Sequence, residues 1–294
     1  MKLAIASAVS AVALAAVAGP ALAKGPEVEI RYAVARVAVI VEDRTDVAVE
    51  VEQGNSRLPQ ITVTREGNEV RINGGLRRGS VFGGNDGIRS CHNGSGERAG
   101  EGAWAEVRDI GRVNLADAPL IVIRTPRDVN VNAQGAVFGS VGRGATSVDL
   151  GNGGCGAWDI ANVEGPLSLS IGGSGDMRAG TSSSLEVAIG GSGSVTAGAT
   201  RGLDVAIGGS GDVVVARIDG PLDISIGGSG DVNVRDGTSP TVDVSIAGSG
   251  DVQFGGVAGD VDVSIVGGGD VNIARATGSV SRSIMGGGDV RIGS

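Results

Sequence analysis

Over the second half of the chain, apolar and polar positions alternate in short runs that return at a fixed interval. Leu203, Val205 and Ile207 are apolar, with Asp204 and Ala206 between them. Leu222/Ile224/Ile226 and Val242/Val244/Ile246 repeat the arrangement around Asp223/Ser225 and Asp243/Ser245. A run of small residues follows each, and the period of two then resumes in Val213/Val215, Val232/Val234, Val252/Phe254 and Val271/Ile273. Such alternation buries one face of a strand and turns the other to water. Nothing here recurs at three and four residues, and the glycine density opposes any helix.

The run of small residues supplies the clock. The clearest copy is Ile226-Gly227-Gly228-Ser229-Gly230-Asp231-Val232-Asn233-Val234. Aligned on the acid, the copies fall at Asp176, Ser194, Asp212, Asp231, Asp251, Asp270 and Asp289, in steps of 18, 18, 19, 20, 19 and 19. Two looser copies precede them, Ile123–Val131 and Leu150–Cys155, the second with a cysteine in the acid's place. A fixed period of this length marks a repeat architecture. One unit cannot bury its own inner face, whereas stacked units can. The chain is therefore all-β: a single-chain β-solenoid of about 19 residues per coil, with an irregular N-terminal β region. The general chirality of β crossovers makes a right-handed parallel β-helix the expected hand.

Three stretches result. Residues 1–23 read as a signal peptide: Lys2, the apolar run Leu3–Ala18, and the small-x-small site Ala21-Leu22-Ala23. Residues 24–118 form the irregular β region, with short alternating strands between Glu27 and Asn73 that serve as first coils or as a cap. A bare terminal coil would expose an unpaired edge, so some cap is required. Within this region 74–102 reads as a glycine-rich loop without structure of its own, anchored by Cys91. The repeat domain is 119–294. Its far end stops mid-coil at Gly288–Ile292, an uncapped edge expected to fray or to self-associate.

Composition narrows the picture further. With 54 glycines and only 2% aromatic residues in 294, the chain suits a thin solenoid core rather than a conventional globular one. A net charge of −9 argues against a nucleic-acid partner. No membrane span is expected after signal cleavage, so the mature chain belongs in the periplasm, in the medium or at the cell surface. In such an oxidising place Cys91 and Cys155, the only cysteines, are expected to pair. Closing a loop of that size stabilises by about 4 kcal/mol in the chain-entropy model.

The candidate chemistry is thin. A column of stacked aspartates, among them Asp212, Asp231, Asp251, Asp270 and Asp289, would repel by about 1 kcal/mol per adjacent pair in water. Something must offset this. A calcium ladder is one answer, although the calcium-binding nonapeptide spaces its glycine and acid differently. Backbone N–H groups accepted at the turn are the simpler answer. A second acidic column, Glu186, Asp204, Asp223, Asp243 and Asp262, reads as a solvated face that discourages sheet aggregation. No catalytic residue is assigned: His92 is the only histidine and no nucleophile has an evident partner. Trp104 and Trp158 read as core fillers or caps. No cofactor is expected.

The I-G-G-S-G-D-V-x-V phrase, the L-D-I-S-I segments before it and the signal peptide together resemble the putative auto-transporter adhesin, head GIN domain family of bacterial envelope proteins. The resemblance spans Pro119–Ser294. It implies a β-solenoid on the envelope side of the membrane with an adhesive role and carries over no catalytic residue. A C-terminal membrane barrel, which self-export would need, is not expected here. The function expected is an exported, non-enzymatic binding or structural module for an envelope polysaccharide or surface protein. A carbohydrate-active solenoid enzyme and a calcium-stabilised solenoid are the alternatives.

Overall fold

The computed structural model describes residues 25–76, 87–94, 96 and 98–293, so the expected signal peptide lies outside the described residues. The alternating segments form strands that pair in parallel with the equivalent strand one coil before and one coil after. Leu203–Ile207 lies between Ser184–Ile189 and Leu222–Ile226, and the register holds without a slip as far as Val261 to Ile265. Leu185, Leu203, Leu222, Val242 and Val261 therefore stand in one column, with parallel columns of Val187–Val263 and Ile189–Ile265 beside it. None of these side chains is more than 3% exposed. The core is thus one continuous apolar spine, and each such side chain contributes about 1.5–3 kcal/mol by leaving water.

Each coil has two walls. The first is the strand before the glycines; the second is the strand after them, where Val195, Val213, Val232, Val252 and Val271 stack in register. A short return, in which Ile218 faces Gly237 and Thr238 faces Val257, closes the coil.

The N-terminal strands join the same stack out of chain order. Strand β1 (Glu27–Val41) is a whole coil, kinked at Tyr32, whose φ of 53° supplies the corner that glycines make elsewhere. Strands β2 (Ala48–Glu52), β3 (Thr62–Glu66) and β4 (Glu69–Asn73) follow it in sequence. Below β1 lie β4 on the first wall and, on the second, a strand from much later in the chain, Leu120–Thr125. Above it lies Asp128–Val141. Strands β2 and β3 then pair antiparallel to the outermost strands and close that end. The region thus supplies both a coil and a cap.

The reading of 74–102 as a structureless loop requires correction. Residues 77–86 lie outside those described, but strand β5 (Ile88–His92) is paired antiparallel with β6 (Trp104–Val107), which pairs with β7 (Gly111–Asn114). Ile88, Ala105, Val107 and Val113 pack with Val34, Ala136 and Phe138 on the outside of the solenoid, forming a second apolar cluster. Glycines on both sides mask this alternation in the sequence. The disulfide Cys91–Cys155, with Cα atoms 6.5 Å apart, ties β5 to a solenoid corner.

Candidate functional site

The corner that carries the repeat phrase obeys two rules. At its second position only glycine fits: a Cβ on Gly209, Gly228 or Gly248 would stand 1.9, 1.9 and 2.0 Å from the glycine carbonyl oxygen of the coil before. The fourth position is equally closed, since a Cβ on Gly211 or Gly230 would meet a carbonyl oxygen at 2.0 and 2.1 Å and an isoleucine methyl beyond it. The first position is open, and there Gly227 gives way to Ala247, Val266 and Met285 in later coils.

The acid that follows serves the next coil. Asp212 Oδ1 accepts the backbone N–H of Asp231 at 3.0 Å, Asp231 that of Asp251 at 2.8 Å, Asp251 that of Asp270 at 2.8 Å and Asp270 that of Asp289 at 2.9 Å. Asp176 does the same for Ser194 at 3.2 Å. Each carboxylate thus sits against the amide dipole of its neighbour, which offsets the like-charge repulsion along the column. Among the described residues no group of three or more His, Cys, Asp or Glu is placed to hold a metal ion. Similar rungs occur at the return corner. Asp260 takes both the hydroxyl and the N–H of Ser279, and these bonds hold its carboxyl below the ordinary value. The Arg217 guanidinium does the same for Asp219.

On the outside of the first wall two columns run along the rod. The acids Glu186, Asp204, Asp223, Asp243 and Asp262 stand in register and make no ion pair among the described residues. Next to them are Ser170, Ala188, Ala206, Ser225 and Ser245. Together with the open first-position glycines these small residues floor a shallow trough of about 790 Å³ lying along several coils. The outside of the second wall presents the uncharged residues Thr196, Val214, Asn233, Gln253 and Asn272 instead, with Arg178 before them and Arg291 after them in the same column.

A second cleft, of about 870 Å³, opens between the small sheet and the second wall. Arg36, Arg98, Glu101 and Asp159 line it. Arg36 donates from Nε and Nη2 to the Ala118 carbonyl, and Asp159 Oδ2 accepts the Ala99 N–H at 2.6 Å. No period marks these residues, which come from different elements, so the sequence conceals their meeting. Of the two tryptophans, Trp158 is a core filler with 0% exposure. Trp104 is not one: it stands half-buried on the outer face of the small sheet, with His92 stacked 6.0 Å away and the Arg112 guanidinium 4.2 Å from its ring. His92 is thus a ring neighbour of Trp104.

No curated protein matches the chain. Two crystal structures from Parabacteroides distasonis share its fold. One, described as a putative lipid binding protein, is 17% identical with a TM-score of 0.55, covering 92% of this chain and 93% of that one. The other, described as a putative adhesin, is 12% identical with a TM-score of 0.51, covering 92% and 94%. At the level of sequence, residues 199–294, which hold the most regular coils, match the family described as putative auto-transporter adhesin, head GIN domain.

Proposed function

We propose that this protein is an exported, non-enzymatic β-solenoid that binds an envelope component, a polysaccharide or a surface protein, along the outside of its first wall. The observation that carries the reading is the in-register repetition of one acidic and one small-residue column over five coils. A face that repeats at the coil spacing suits an extended, repeating ligand better than a single small molecule, because each coil offers the same contact and weak contacts add along the rod. The matched adhesin family and the fold neighbours, described as adhesin and lipid-binding proteins, agree with a binding role. The signal-like segment and the disulfide favour the periplasm, the cell surface or the medium.

The test is to incubate the purified mature chain with separated peptidoglycan, lipopolysaccharide, exopolysaccharide and outer-membrane proteins, recording both retention and release of soluble fragments. Retention without release, weakened when Asp204, Asp223 and Asp243 are changed together to Asn, is the expected result. Release of sugars would overturn it in favour of a carbohydrate-active enzyme. Glu101 and Asp159, two carboxylates on one cleft, would then be the first residues to replace.

A further inference from the structure

The middle core column of the first wall runs Val187, Val205, Ile224, Val244, Val263 in register, and its next member is Arg282. A charge in that column is out of keeping with every coil below. Its flanking inward residues, Val280 and Ile284, are 40% and 42% exposed, whereas Val261 and Ile265 directly beneath them are 3% and 0% exposed. Among the described residues no strand lies over Val280–Gly286 on its far side.

Arg282 does not simply hang at that face. Its Nη1 donates to the carbonyl of Val290, on the opposite wall, at 3.3 Å. The N–H of the same Val290 is taken by Asp289 Oδ1 at 2.8 Å, and Asp289 also pairs with Arg291 at 2.9 Å. In the coils below, the equivalent N–H groups serve a different partner. Val252 donates to the carbonyl of Asp270 at 2.8 Å and Val271 to that of Asp289 at 2.9 Å, each one coil further on. Both polar groups of Val290 are thus satisfied by side chains. Asp289 accepts this N–H of its own coil, whereas Asp270 accepts the N–H of Asp289 one coil on.

We propose that Arg282, helped by Asp289, is the stop of the stack: it closes the end of the apolar core and bars a further parallel coil, of this chain or of a second copy, from adding to that edge. The aliphatic stem of arginine covers apolar surface while its head stays in water, and an inward-pointing charge is a known way to blunt a sheet edge. A coil laid on top would bury the guanidinium without a carboxylate partner, which is strongly unfavourable. The opposite end is closed differently, by the antiparallel strands β2 and β3. With both ends closed, head-to-tail growth into fibres is prevented.

Sedimentation velocity of the full mature chain over a hundredfold range of concentration tests this. Wild type and Arg282→Lys, which keeps the charge, are expected to remain monomeric throughout. Arg282→Leu is expected at least to double its weight-average mass at the highest concentration. A monomeric Arg282→Leu variant, or a wild type that associates equally well, would overturn the proposal. If Arg282→Leu is recovered only as aggregate, Ser283→Lys is added on the outward side of the same strand. Return to monomer then upholds the edge route, and continued aggregation sinks it.

Discussion

The carboxylate of Asp231 accepts the backbone N–H of Asp251, the acid in the same place one coil on, at 2.8 Å. The side chain that would repel its neighbour is thereby made a rung to it. Asp231→Ala should cost about 1 kcal/mol, the typical net worth of a hydrogen bond. Asp231→Asn, which keeps an acceptor oxygen, should cost less than half of that. Urea midpoints of the two variants decide the point. A rung made by an amide needs no ion, so EDTA is expected to leave the melting temperature unchanged; a fall on chelation, reversed by calcium, would restore the calcium ladder as an explanation.

The two glycine rules predict opposite outcomes for adjacent residues. A Cβ on Gly227 would have no neighbour closer than 3.8 Å, and Ala247 occupies the same place in the following coil. Gly227→Ala should therefore stay within about 0.5 kcal/mol of wild type. On Gly228 the Cβ would stand 1.9 Å from the Gly209 carbonyl oxygen, so the coils must part. Gly228→Ala should cost about 3 kcal/mol or more, or prevent folding. Thermal unfolding of the two variants side by side gives the answer.

These corners also show what the sequence makes legible. Wherever local alternation coincides with a fixed period, as at Leu203–Ile207, strand, face and register follow from the residues alone. The backbone-acceptor role of the aspartates is legible as a class of interaction, but that the N–H comes from the next coil requires the stack itself. At the other end periodicity fails. Arg36 stands opposite Leu120, a partner far away in the chain that no period announces. Ile88–His92 is hidden for another reason: its apolar residues cover the outside of the solenoid at Val34 and Phe138, a surface that alternation assigns to solvent. The cleft of Arg36, Glu101 and Asp159 inherits this obscurity, because both its walls depend on that docking.

The disulfide holds the small sheet in place more than it holds the rod together. It closes a separation of 64 residues, worth about 4 kcal/mol by chain entropy. The apolar spine of the solenoid does not pass through it. Replacing Cys91 and Cys155 together by serine should loosen β5–β7 before the coils. Hydrogen exchange should quicken at Ala105 and Val113 while Val205 and Ile224 stay protected. Equal loss of protection in both regions would show one cooperative unit instead.

Acid should remove a defined contribution at the return corner. The hydroxyl and N–H of Ser279 hold the Asp260 carboxyl below its ordinary value of 3.8. A carboxyl depressed in the folded state stabilises fully above its unfolded value, and that contribution is lost as pH falls through the folded one. Asp260→Asn keeps the acceptor but not the charge. The gap in urea midpoint between wild type and this variant should hold steady from neutral pH down to about 4, then close on further acidification. A gap independent of pH would mean that the charge contributes nothing.

Asn152 interrupts the core column that isoleucine fills in the next coils, at Ile171, Ile189 and Ile207. It is 1% exposed, its Oδ1 accepts a long bond of 3.4 Å from the Gly154 N–H, and its Nδ2 has no partner among the described residues. A buried amide hydrogen without an acceptor costs about 1–3 kcal/mol, and an apolar side chain of like shape removes that cost. Asn152→Leu should therefore raise stability by about 1 kcal/mol, whereas Asn152→Ala, which leaves a void, should lower it. Both are read from urea unfolding of the oxidised chain. If Asn152→Leu is the less stable, the amide is held by a buried water in this coil, and the neighbouring corner that carries Cys155 depends on it.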